Sequence, residues 1–105
     1  MTFTVVVEPE AKADLLRLYE YLLERAEYVE DLDVADRAPH AIEAGLGALE
    51  RTPFLFRKAE GERSALRREL VIPFGASGYV VKYEIASPRL VVVLAVRHQH
   101  EADYR

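Results

Sequence analysis

LRRELVIPFGASGYVVKYEIASPRLVVVLAVRH, residues 66–98, is the stretch that decides the fold. Three apolar runs are separated by two clusters of turn residues, Gly75-Ala76-Ser77-Gly78 and Ser87-Pro88-Arg89. Leu66–Phe74 carries Leu66, Leu70, Ile72 and Phe74 at even spacing, so one face of an extended segment is apolar. Tyr79–Ala86 repeats the pattern, with Tyr79, Val81, Tyr83 and Ile85 on one face and Lys82 and Glu84 on the other. Leu90–His98 is apolar on both faces, which suits a strand in the middle of a sheet. Short turns between consecutive strands make their pairing antiparallel.

Upstream the apolar period lengthens to that of a helix. Ala11, Leu15, Leu18, Leu22 and Ala26 form a stripe widened by Tyr19 and Leu23, with Asp14, Arg17, Glu20 and Arg25 mostly on the other side. Pro9 suits the first helical position, and Glu8 and Glu10 favour the positive end of the helix dipole. The acidic segment Glu27–Asp33 interrupts the stripe and reads as a turn. A second stripe follows in Ala38, Ile42, Leu46 and Leu49. A proline in a helix interior deletes a hydrogen bond and clashes with the preceding turn, at about 3 kcal/mol. The second helix is therefore expected from an N-cap at Asp36, which puts Pro39 in the first turn, to Arg51, ahead of Thr52-Pro53. Pro53–Ser64 reads as a polar loop tacked down by Phe54 and Phe56, and Phe3–Val7 as a short first strand. The expected fold is α+β, in the order β-α-α-β-β-β. A helical hairpin packs on one face of a largely antiparallel four-stranded sheet, as one domain over residues 1–105.

Composition narrows the function classes. The net charge of −4 counts against a chain that works mainly by neutralising phosphates. Without cysteine there is no disulfide, no thiolate nucleophile and no Cys-type zinc site. The first residues lack the basic region and apolar core of a signal peptide. The longest apolar run, Leu90–Val96, falls far short of the ~20 residues of a membrane helix. A cytoplasmic protein with no membrane association is expected. The charge is divided: acidic residues concentrate between Glu8 and Glu50, whereas Arg57, Lys58, Arg63, Arg67, Arg68, Lys82, Arg89, Arg97 and Arg105 lie in the sheet-forming half. Either these are solvated, ion-paired faces, or the sheet side presents a basic surface to an acidic partner.

Chemistry-bearing motifs are few. No phosphate-binding glycine loop and no Gly-x-Ser-x-Gly elbow is present, and Ser77 between glycines reads as a turn residue. His98, His100 and Asp103 lack a fixed ligand spacing, so no metal and no cofactor is expected. An imidazole such as His98 titrates near neutrality and is a candidate general acid.

Several segments together resemble the RelE/ParE toxin superfamily of type II toxin–antitoxin systems. They are the Leu-rich first helix, Ala48–Pro53, Ser77-Gly78-Tyr79 with Tyr83, and the ending Leu94–Tyr104 with Arg97-His98-Gln99. The resemblance covers essentially the whole chain. It implies a toxin in a hetero-oligomer with a cognate antitoxin, whose C-terminal segment wraps the toxin as helix and strand. Candidate antitoxin contacts are Leu15, Leu18, Tyr19, Leu22, Arg67 and Arg68; candidate target contacts are Arg97, His98, His100 and Tyr104.

The superfamily has two activities. RelE-like members cleave messenger RNA on the ribosome with lysines on the strand matching Leu66–Phe74, an arginine after the tyrosine matching Tyr79, a late cation and a late tyrosine. ParE-like members poison DNA gyrase and lack that set. Aligned through Ser77-Gly78-Tyr79, the lysine positions fall on Val71 and Pro73 and the arginine position on Val80. Only His98 and Tyr104 remain as catalytic candidates for a ribonuclease. Losing one transition-state cation typically costs about 100-fold or more. The expectation is a ParE-like binder of DNA gyrase without catalytic residues. The alternatives are a ribosome-dependent endoribonuclease and a relative that retains only antitoxin binding.

Overall fold

Pairing of the three long strands follows the alternation of their side chains. The computed structural model describes residues 2–75 and 77–99. The elements are β1 (Thr4–Val7), α1 (Pro9–Glu24), α2 (Val29–Arg51), β2 (Arg57–Lys58), β3 (Arg67–Phe74), β4 (Ser77–Ser87) and β5 (Leu90–His98). The sheet order is β1-β5-β4-β3-β2; β1 runs parallel to β5 and the other pairs are antiparallel. Leu90–His98 thus lies between two strands, as its two apolar faces predict.

Leu70, Ile72, Tyr79, Val81, Tyr83, Ile85, Val91, Val93 and Val96 are buried and meet Ala11, Leu18, Ala38, Ile42 and Leu49 of the helices in one core. A register shift between Lys82 and Tyr83, whose partners are Ala95 and Val93, makes the alternation of β5 change phase at that point. Past Val93, β1 no longer covers the edge of β5. The backbone amide of Val96 instead donates to the buried carboxylate of Asp14 on α1, at 2.9 Å.

Three expectations are corrected. The sheet has five strands, not four: Arg57–Lys58, inside the predicted loop, pairs with β3, and the Arg57 guanidinium reaches Glu69 at 2.8 Å. The acidic segment after Glu27 is the opening of α2 and not a turn. The Asp31 carboxylate reaches back to accept the amides of Glu27 and Tyr28 at 2.8 and 3.0 Å, satisfying donors that a helix start leaves open. Pro39 therefore lies within α2. The packing of Ala35, Ala38, Ile42 and Leu49 against the core offsets the lost hydrogen bond. Asp36, the expected N-cap, accepts a hydrogen bond from the Tyr19 hydroxyl of α1 at 3.1 Å. Leu66, placed on the apolar face in the sequence, precedes β3 and is exposed.

Tyr83, fully buried, donates its hydroxyl to the Pro53 carbonyl and closes the end of the α2–β2 connection. Burial pushes this phenol up to about 12, against the opposing influence of the Arg68 charge. An unfolded tyrosine titrates near pH 10, so the folded state holds the proton more tightly. The stabilisation is complete below about pH 10 and is lost as pH rises from there towards 12. Denaturant titrations at rising pH are expected to show stability falling across that window. Tyr83→Phe should be less stable by about 1 kcal/mol at neutral pH and show a shallower alkaline loss.

Candidate functional site

The two faces of the sheet hold different chemistry. On the face turned from the helices, the register partners Arg67 and Glu84, Glu69 and Lys82, Val71 and Val80, and Pro73 and Gly78 stand side by side. Val92, Ala95 and Arg97 continue that face onto β5 as partners of Glu84, Lys82 and Val80. Three cations of the sheet-forming half, Arg57, Arg67 and Lys82, are ion-paired here, as one of the two alternatives has it. Arg57 meets Glu69 at 2.8 Å, Lys82 meets Glu62 at 2.7 Å, and Arg67 meets Glu84 at 2.9 Å and Glu62 at 3.4 Å. The Lys82 ammonium beside Glu62 holds that carboxyl below the usual carboxylate range, and the hydrogen bond to Glu84 raises the Arg67 guanidinium. Arg97 stands beside Val80 and donates through Nη1 to the carbonyls of His98 and Gln99 at 3.3 and 3.1 Å.

His98 faces the other way. It pairs with Tyr79, which lies on the helix side with Ile72, and packs edge-on against the Tyr79 ring. His98 Nε2 and Ser77 Oγ share a hydrogen bond of 2.8 Å. Together they edge a cleft of about 170 Å³ whose wall is Leu18, Tyr21 and Leu22 of α1. Hence His98 lies on the opposite face of the sheet from Val71, Pro73 and Val80, the positions with which a ribonuclease would have to combine it. The sequence did not reveal the Ser77–His98 contact, because it depends on the register between β4 and β5. His100 and Tyr104 lie outside the described residues.

A second depression, about 150 Å³ and almost wholly apolar, runs between the helices. Leu15, Leu18 and Tyr19 of α1 face Ala38, Pro39, Ile42 and Leu46 of α2 across it, and the buried Tyr79 forms its floor. Burial pushes the Tyr79 phenol up, and the hydrogen bond to Asp36 raises that of Tyr19. Three of the four predicted α1 contacts line this groove, while Leu22 lies in the cleft beside His98. The two predicted arginines belong elsewhere. Arg67 is ion-paired on the helix-distal face. Arg68 donates to the carbonyls of Ala65, Phe54 and Phe56 and lies over the Phe54 ring, anchoring the connection after α2. The α2 side of the groove was missed as a site, although the stripe Ala38, Ile42, Leu46 with Pro39 beside it marks it in the sequence.

Charge sets the helical hairpin apart. Residues 8–51 contain twelve carboxylates and five Lys or Arg, whereas residues 52–105 contain six and nine. Among the described residues, no helix is long and apolar enough to cross a membrane.

Comparisons with known proteins agree with this geometry. A solved structure of a chromosomal ParDE toxin–antitoxin system from P. aeruginosa superposes with a TM-score of 0.64 over 91% of this chain and 95% of that one, at 10% identity, a likeness of fold. Toxin RelE1 of Caulobacter vibrioides is 39% identical over 81% of this chain and 82% of its own length. Toxin RelE3 of the same organism is 36% identical over 93% and 96%. The profile of the ParE toxin of type II toxin–antitoxin systems matches residues 5–103. With that match spanning nearly all of its length, the chain belongs to the ParE toxin family.

Proposed function

We propose that this toxin acts by binding rather than by catalysis: it disables DNA gyrase in the cytoplasm and is held inactive by a cognate antitoxin. The observation that carries the reading is the register pair Val71–Val80 on the helix-distal face, with Pro73 two residues along. Phosphodiester cleavage requires cations where charge develops, and two valines and a proline supply none. Of the cations nearby, Arg57, Arg67 and Lys82 are committed to Glu69, Glu84 and Glu62, and Arg97, beside Val80, donates to the His98 and Gln99 carbonyls. The apolar groove between α1 and α2 suits an antitoxin segment that buries aliphatic side chains against Leu15, Leu18 and Tyr19.

Ribosome-dependent cleavage of messenger RNA is the second reading, favoured by the RelE names of the two relatives and by an imidazole that Ser77 holds in place. The test runs both assays on purified toxin. Inhibited supercoiling and trapped DNA cleavage complexes are expected, with translation extracts unaffected. Untouched gyrase, with messenger RNA cut on ribosomes and the cutting lost in His98→Ala, would reverse the order of the two readings.

A further inference from the structure

The end of the sheet away from the α1–α2 turn collects cations that the ion pairs of the helix-distal face do not use. Register defines that end: the Ala59 amide donates to the Arg67 carbonyl, Arg67 pairs with Glu84, and β4 turns into β5 just beyond, between Ser87 and Leu90. α2 finishes at the same end, where the Glu50 carbonyl accepts the Phe3 amide beside the Thr4–Leu90 pair. Arg51, Lys58, Arg63 and Arg89 are all exposed here, and among the described residues none of the four is ion-paired. The carboxylates of this end offset them little. Glu62, Glu69 and Glu84 are held by Lys82, Arg57 and Arg67, which leaves Glu50 and Glu60. Phe54, Leu55 and Leu66 are exposed at the same end, with the Arg68 guanidinium over the Phe54 ring.

The charge of the molecule therefore has a direction, with the acidic hairpin at one end and uncommitted cations at the other. Beside a surface that holds DNA, the chain is turned with its hairpin outward and this end inward. The four cations are spread from β2 to the β4–β5 turn, three strand spacings of about 4.8 Å each. A duplex carries one phosphate charge per about 1.7 Å of its axis, so several phosphates fall within their reach. We infer that this end of the sheet contacts the backbone of the DNA that gyrase holds, through Arg51, Lys58, Arg63 and Arg89. The inference rests on the reading of the protein as a gyrase poison and names the second component of that complex: the toxin touches enzyme and DNA together. Trapping a cleaved complex requires the DNA to stay bound, and a contact made only when both are present favours that state. Four phosphate contacts, set against a net charge of −4, hold free DNA only weakly.

The experiment measures binding of the full-length toxin to gyrase holoenzyme alone and to holoenzyme saturated with linear duplex DNA. Three proteins are compared: wild type, Lys58→Gln/Arg63→Gln, and Arg25→Gln/Arg37→Gln, which removes the same charge from the hairpin. All four altered positions are exposed, so thermal unfolding should be unchanged. The wild type and the hairpin variant should bind the DNA complex about tenfold more tightly than gyrase alone. Lys58→Gln/Arg63→Gln should lose most of that gain, and its affinity for the DNA complex should fall less steeply with salt, by about 2 in the log–log slope. No gain in the wild type, or equal gains in the two variants, overturns the inference while the gyrase reading stands. So does adhesion to phosphatidylglycerol vesicles that Lys58→Gln/Arg63→Gln abolishes while the gain on DNA stays intact, which would assign these cations to a membrane. A wild type that binds gyrase in neither state overturns both.

Discussion

Gly78→Ala is expected to destabilise the toxin by about 3 kcal/mol, a large share of the 5–15 kcal/mol that holds a typical domain together. A methyl group at this position would overlap the Ile72 carbonyl oxygen and lie 3.1 Å from Pro73 Cα. Both obstacles are backbone of the neighbouring strand, so no rotamer change relieves them. The β3–β4 ladder would have to separate where Gly78 faces Pro73 and Tyr79 faces Ile72. Tyr79 is also the floor of the interhelical groove, so antitoxin affinity should fall together with stability. Gly47→Ala is the control. Nothing lies within 4 Å of its added methyl, and in a helix the change should raise stability by up to about 1 kcal/mol. Urea midpoints of the two variants should move in opposite directions; equal midpoints would refute the steric argument.

Asp14→Ala should cost about 2 kcal/mol, or roughly 10 °C in midpoint. The carboxylate accepts the Val96 amide in a site from which both residues exclude water. Removing it leaves a buried N–H whose strand neighbour, β1, has already ended at Val7. Asp14→Asn retains an acceptor oxygen and should recover most of the loss. If the alanine and asparagine variants melt together, the Asp14–Val96 bond is not the source of the effect.

Much of this architecture is legible in the residues themselves. Alternation in β3 and β4 and the stripe from Ala11 to Leu22 report burial directly, since each element has one face in water. The errors have a common cause in interactions at a distance. Arg57–Lys58 is too short to show a period, and becomes a strand because Glu69 of β3 meets Arg57. The opening of α2 lacks an apolar stripe and is fixed by Asp31 capping behind itself. In the site, the groove-lining leucines followed from periodicity, as residues on one helix face. The reach of Arg68 to Phe54 and Phe56, and the turning of His98 away from Val80, depend on strand register and on the phase change at Leu94. No local pattern carries that information.

The parallel pairing of β1 with β5 bears on the order in which the molecule is made. Thr4–Val7 leaves the ribosome well before its partners Leu90–Val93. Contacts so distant in sequence form slowly and late. The hairpin and β1 therefore emerge with no central strand to pack on, and the core faces of both helices stay incompletely covered until Leu90–His98 has been made. A nascent chain cut short before Leu90 therefore lacks the strand that joins β1 to the rest of the sheet and on which α1 packs.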